Sequence, residues 1–245
     1  MTGDVHERLR AFWDADAATY DRSPGHAVAD AAETGAWTRA FARLLPPPPS
    51  RILDVGAGTG AMSLLAAELG HMVTALDLSP SMLEGARDKA LARGLSVEIL
   101  VGPAHEPPPG PFDAVIERHL VWTLPDPVAT LRAWREVAPR AVLLEGLWGR
   151  AGALHGMRRR ALDLVRRAYG VPDDHHAEYD TDLRAALPFG RGLTPEALVE
   201  AAARAGWRRF RVDRLQEVEA ARRGSARWPL GPLEAIPRFA LSLER

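Results

Sequence analysis

The 245-residue sequence predicts an α/β protein built on a doubly wound, mostly parallel sheet. Two observations predict it. In Arg51-Ile-Leu-Asp-Val-Gly-Ala-Gly-Thr-Gly60 a short apolar strand enters three alternating glycines. Ala61–Leu69, rich in good helix formers, follows, and Gly70 stops it. From there to Gly146, apolar runs of strand length alternate with helical segments. Strands separated by helices cross over the sheet with right-handed connections and pair in parallel.

The glycine stretch also predicts a ligand. A strand that turns through glycine into a helix presents backbone N–H groups, and no Cβ keeps a ligand away from them. Asp54 stands at the end of this strand. The next strand, Met72–Leu76, ends in Asp77, 21 positions after Gly56. That is close to the spacing of a carboxylate that takes ribose hydroxyls. Asp54, the turn and Asp77 describe a pocket for an adenosine-type molecule. A glycine-rich connection without a ligand would leave both acids unexplained.

Two cofactors compete for it. Gly56-x-Gly58-x-x-Ala61 satisfies the dinucleotide pattern, which implies an NAD(P)-dependent oxidoreductase. The Asp54-x-Gly56-x-Gly58-x-Gly60 form resembles motif I of the class I S-adenosylmethionine-dependent methyltransferases, of Rossmann-like fold. Charge favours the second. A carboxylate at position 54 repels a pyrophosphate but tolerates an ammonium and a sulfonium. Lys89, the only lysine, has no tyrosine four residues before it, so the Tyr-x-x-x-Lys pair of many oxidoreductases is missing. The resemblance implies a seven-stranded, mostly parallel sheet, an N-terminal helical arm and a helical lid insertion. It implies cofactor contacts from Asp54, Gly56, Ala57, Gly58, Gly60, Asp77 and Leu78.

Bulk properties narrow the partners. The net charge of −1 gives no field for nucleic acid or an anionic membrane. Without cysteine there is no disulfide, thiolate nucleophile or Cys-based metal site. No apolar run approaches the roughly 20 residues of a membrane span, and the start shows no basic-then-apolar leader. The expectation is a cytoplasmic enzyme, monomeric or homodimeric, acting on a small molecule. The excess of arginine over lysine suggests a GC-rich bacterial genome.

Residues 1–50 are expected to form the arm. Val5, Leu9, Phe12 and Trp13 share one face of a helix over 4–16. A second helix is expected over about 25–44, with Val28, Trp37, Phe41 and Leu44 inward. The segment from Phe12 to Tyr20-Asp21 is similar to those that precede motif I in small-molecule methyltransferases. The resemblance places Tyr20 near the methionine end of the cofactor; packing is the alternative, and the favoured one for Trp13.

Residues 51–146 form the expected cofactor-binding core. Ser79 caps a helix that starts at Pro80 and stops at Gly94. Asp77-x-Ser79-x-x-Met82 again resembles the family, and implies that Met82 packs near the adenine. After the third strand, Ser96–Val101, the family carries an acid for the adenine amino group. Here the position is Pro103, and Ala104, His105 or Glu106 can substitute. A fourth strand, Ala114–Ile116, leads to Glu117-Arg118-His119. The resemblance sets Glu117 and Arg118 beside the methionine part of the cofactor. His119 is either a base for the acceptor or a structural loop residue. A helix over 127–137 and a strand over 141–146 complete this part.

Residues 147–192 break the alternation and read as a lid. A helix over 153–169 has Met157, Leu162, Val165 and Tyr169 for burial. His175 and His176 offer further bases. Asp173, Asp174 and the two histidines have ligand chemistry, but adjacent residues in one loop are a poor metal set, and no metal is expected. Residues 193–245 return to the core with a capped helix after Thr194 and two closing strands, Arg208–Val218 and Arg238–Leu243. Residues 219–235 read as a linker. The function expected is methyl transfer to oxygen, nitrogen or carbon of a small, biosynthetic metabolite. A non-catalytic cofactor-binding protein of this fold is the further alternative, which Pro103 keeps open.

Overall fold

A computed structural model describes residues 2–22, 26–28, 30–147, 181–190, 192–225 and 237–245, with 157, 160, 164, 165, 167, 168 and 179 between them. Seven strands form one sheet in the order β3-β2-β1-β4-β5-β7-β6. They are β1 (Arg51–Val55), β2 (Met72–Asp77), β3 (Val97–Val101), β4 (Ala114–Arg118), β5 (Arg140–Gly146), β6 (Arg209–Arg214) and β7 (Arg238–Glu244). The first five run parallel; β7 lies antiparallel between β5 and β6. The seven-stranded doubly wound sheet is therefore the one expected. The ends of β1, β2, β4 and β5 and the start of β7 meet at one edge, where such sheets bind ligands.

The helices are α1 (Thr2–Asp16), α2 (Ala31–Leu44), α3 (Ala61–Glu68), α4 (Pro80–Ala92), α5 (Pro127–Val137), α6 (Thr181–Ala186), α7 (Pro195–Arg204) and α8 (Gln216–Ser225). Central strands bury both faces. Leu53, Val55, Val115 and Leu143 pack with Leu131, Trp134 and Leu198 of α5 and α7. Ile52, Ile116 and Leu144 pack on the other side with Trp37, Phe41, Met62 and Val218 of α2, α3 and α8. A third cluster joins the arm to the insertion: Leu9 packs with Tyr179, Leu183 and Leu187.

Caps fix the helix starts. Ser79 Oγ accepts Met82 N–H at 3.1 Å, and Thr194 Oγ1 accepts Ala197 N–H at 3.2 Å. The second helix begins at Ala31, later than expected, because Asp30 Oδ1 accepts Glu33 N–H at 2.8 Å. Val28 lies outside it, partly buried against α2. The expected strand Arg208–Val218 is a correction. β6 stops at Arg214, and the chain turns into α8, which covers 216–225 and shortens the supposed linker. Leu215 and Val218 are 1% and 0% exposed on the core, while acids open the helix and arginines close it. Helix α6 was not foreseen. In the insertion the described positions between 157 and 168 are helical. Met157 is exposed there, and Leu162 and Tyr169 lie outside the described residues.

Gly60 shows how tightly the turn is packed. Its φ is +82°, and a Cβ on it would stand 2.8 Å from the Cβ of Ala86 on α4. Gly60→Ala is expected to destabilise the fold by about 2 kcal/mol through strain and overpacking, read from the midpoint of urea denaturation.

Candidate active site

The cradle is built from β1, the turn and the end of β2. Gly56, Gly58 and Gly60 all have positive φ, a region that side chains with a Cβ rarely adopt. A Cβ on Gly56 would strike Leu120 at 2.8 Å. One on Gly58 would meet only Tyr20, at 3.8 Å, so at Gly58 the backbone faces open space. Asp77 Oδ2 accepts Gly58 N–H and its Oδ1 accepts Ser79 N–H, both at 2.8 Å. The acid thus ties the turn to the start of α4. Burial raises its pKa, and these two N–H groups oppose the rise.

Asp54 is 1% exposed and accepts the Ser63 hydroxyl at 2.5 Å. Burial pushes it up to about 7, against the Ser63 bond and the Arg118 cation. Tyr20, Asp54, Gly56, Ala57 and Arg118 line a common pocket, with Thr59, Ala61 and Met62. Met82 is buried at the start of α4, and Leu78 packs beside the arm cluster.

The arm closes this pocket. Asp14 Oδ1 accepts Ser79 Oγ–H at 2.5 Å. Asp21 Oδ1 accepts Thr59 Oγ1–H at 2.7 Å, and Lys89 Nζ lies 2.5 Å from Asp21 Oδ2 and 2.8 Å from the Thr59 carbonyl. Tyr20 stacks on His26 with ring centres 4.2 Å apart. Trp13, Phe12 and Trp122 surround Tyr179 at 6.0, 4.5 and 5.3 Å. None of the polar clasps was foreseen; the isolated lysine was the one available signal.

Past β3, Pro103 brings no carboxylate. Ala104 gives its carbonyl to Trp134 Nε1 at 2.8 Å, and the His105 ring stacks on His6 of α1 at 4.7 Å. The two residues after Pro103 are thus engaged in packing α5 and the arm.

The end of β4 concentrates titratable groups. Glu117 and Glu145 are 0% and 1% exposed. Glu117 Oε2 accepts Leu120 N–H at 2.8 Å; Oε1 of each acid has no hydrogen-bond partner among the described residues. Burial raises Glu117 to about 8, and burial with the nearby Glu117 charge raises Glu145 well above the carboxylate range. His119 holds φ +61°, a strained conformation for histidine. Its Nδ1 lies 3.3 Å from Glu145 Oε2. Burial, then the neighbouring Arg118, Arg238, His26 and Arg222, hold His119 well below the usual histidine range. The Glu145 contact and Arg238 escaped sequence reasoning. His175 and His176 lie outside the described residues, among which no group of three or more His, Cys, Asp or Glu is placed to hold a metal. No helix among them is long and apolar enough to cross a membrane.

Residues 52–139 match the family described as Methyltransferase domain. The chain is 39% identical over 89 residues to the ubiquinone biosynthesis O-methyltransferase of Xanthomonas campestris pv. campestris, a match covering 35% of this chain and 37% of that protein. The curated relatives are thus matched over little more than a third of their length. In three dimensions it is similar to the magnesium protoporphyrin IX methyltransferase of Synechocystis PCC 6803 with bound S-adenosylhomocysteine (TM-score 0.57, 17% identity, 98% of this chain and 99% of that one). Phosphoethanolamine N-methyltransferase 2 of Haemonchus contortus with S-adenosylmethionine is also similar (TM-score 0.61, 16% identity, 96% and 59%). At those identities the likeness is one of fold.

S-adenosylmethionine, the cofactor of that family, fits the chemistry of the cradle: an open backbone at Gly58, a fixed acid at Asp77, and both signs of charge, from Asp54 and Arg118, for an amino-acid end. A cation beside Asp54 favours its ionised form and displaces its proton. Affinity for S-adenosylmethionine is therefore expected to strengthen as pH rises through about 7, with proton release seen calorimetrically in buffers of different ionisation enthalpy. The unliganded protein carries the opposite dependence. Its raised carboxyl contributes stability below the ordinary carboxylate range and loses it as pH rises to about 7. Asp54→Asn should flatten both profiles.

Proposed function

We propose, on the premise that this chain belongs through residues 52–139 to the class I S-adenosylmethionine-dependent methyltransferases, that it transfers a methyl group to a small metabolite. The observation that carries this reading is the pocket that Tyr20, Asp54, Gly56 and Ala57 line at the glycine turn, where Asp77 holds the N–H of Gly58. S-adenosylmethionine, when bound, supplies a methyl already activated on a sulfonium.

The chain's own residues do the rest. Asp77 receives ribose hydroxyls on lone pairs that its two N–H partners leave over. Gly56, Ala57, Gly58 and Gly60 present backbone to the ligand. Leu78, Met82, Ala104 and His105 form the adenine side. Asp54, Arg118 and the backbone at Glu117 surround the amino-acid end. Tyr20 and the clasped arm exclude water and hold the reactants in line, the proximity effect on which a displacement depends.

The relatives are O-methyltransferases by name, which favours a hydroxyl acceptor here. A hydroxyl needs a base. His119 is neutral at physiological pH because burial and the neighbouring arginines depress its pKa, so it can accept a proton. Glu145 at Nδ1 orients the ring. His175 and His176 are the other candidate bases. The dinucleotide reading meets Asp54 in the cradle, which repels a pyrophosphate. The non-catalytic reading rests on Pro103.

Calorimetric titration with S-adenosylmethionine, S-adenosylhomocysteine and NAD tests the proposal. Micromolar binding of the first two and none of NAD is expected; the reverse would overturn it. Asp77→Ala should weaken S-adenosylhomocysteine by about 1–3 kcal/mol, the scale of a lost charged hydrogen bond. His119→Ala should leave that affinity intact and slow transfer to a hydroxyl acceptor. Unchanged turnover would remove His119 as the base.

A further inference from the structure

The sheet register gathers cations beside the cradle. Arg118 ends β4 and pairs with Leu144 of β5, while Arg238 opens β7 and pairs with Gly146. Side chains alternate along strands, so Arg118 and Arg238 share the face of Ile116, Leu144 and Ala240, which α2 and α8 cover. Arg222 comes from α8, and His26, whose carbonyl accepts Arg118 Nη2, from the segment before α2. Arg118 also lines the cofactor pocket with Asp54 and Tyr20. The cation cluster and the cradle are therefore contiguous.

Arg238 is the unusual member. It is 6% exposed, yet its guanidinium makes no hydrogen bond or ion pair with a described residue. A buried charge without such partners is costly unless a ligand completes it. Its pKa is lowered to about 9 by burial, then by Arg222 and Arg118, with Glu33 and Glu219 opposing. Glu219 is already committed: its carboxylate accepts the backbone N–H of Arg238 at 2.8 Å and Arg214 Nη2 at 3.1 Å. One of the two acids that oppose the shift of Arg238 thus already serves another arginine.

We propose that Arg238, with Arg118 and Arg222, binds an anionic group of the methyl acceptor, a carboxylate or a phosphate, and so presents the acceptor to His119. The inference rests on the methyltransferase reading for the word acceptor, but the anion site stands on its own geometry. Guanidinium forks match either anion in two-point fashion. His119, close enough to feel all these cations, would meet the part of the molecule next to its charged group.

The test is a binding titration at fixed ionic strength, with benzoate, inorganic phosphate and neutral benzyl alcohol as probes, with and without saturating S-adenosylhomocysteine. Saturable binding of one anion and none of benzyl alcohol is expected; the anion preferred tells carboxylate from phosphate. Arg238→Gln should weaken it at least tenfold, and Arg209→Gln, on the exposed strand β6, should not. If Arg238→Gln fails to fold by circular dichroism, Arg222→Gln on α8 is read the same way. Absence of saturable anion binding, or equal binding by the folded variants, would overturn the site. Failure of S-adenosylhomocysteine to bind, with anion binding intact, would instead count against the methyltransferase reading alone.

Discussion

The two hydrogen bonds that Asp77 accepts, from Gly58 and Ser79, hold together the parts on which the site depends. They join a glycine turn, which has little conformational preference of its own, to a capped helix start. With Asp77 fixed, the turn keeps its three left-handed glycines aligned, Gly60 can approach α4 closely, and Gly58 stays uncovered except by Tyr20. The arm then has a rigid surface on which to dock. Its own acids, Asp14 and Asp21, reach the same two structures, the start of α4 and the glycine turn. One carboxylate thus organises the cradle from within, and two others close it from outside.

The strand ends carry an opposing burden. Asp54, Glu117 and Glu145 sit almost fully buried on three strands, where desolvation disfavours their ionised forms. Register divides them. Asp54 shares its face with Arg118, while Glu117 and Glu145 lie on the other face, where burial and the Glu117 charge raise the pKa of Glu145. The guanidinium groups accumulate on the face of Asp54. His119, turned into a left-handed conformation at the edge, feels both groups, and its neutral form follows from that position.

Much of this was legible in the sequence. The glycine turn and Asp77 were readable because local backbone geometry demands those residue types at that spacing. Ser79, Thr194 and the stop glycines set helix limits through contacts a few residues apart, so they could be read too. What escaped was long-range. Nothing in Arg208–Val218 announces that Arg214 ends a strand, since Val218 finds its place only against α2. Glu145 and His119 are 26 residues apart and meet through strand pairing. Arg238 reaches Arg118 only because β7 inserts antiparallel next to β5. Pro103 was readable as a departure, but the stacking of His105 on His6 was not, because it needs the arm in place.

Lys89 binds Asp21 of the arm and the carbonyl of Thr59 in the turn, and it is the chain's only lysine. Every side-chain amine reagent therefore has a single address, at the seam between arm and cradle. Acylation there would erase the positive charge that holds Asp21. The protein thus carries a natural reporter: the rate at which that amine reacts measures how often the seam opens, without any introduced label.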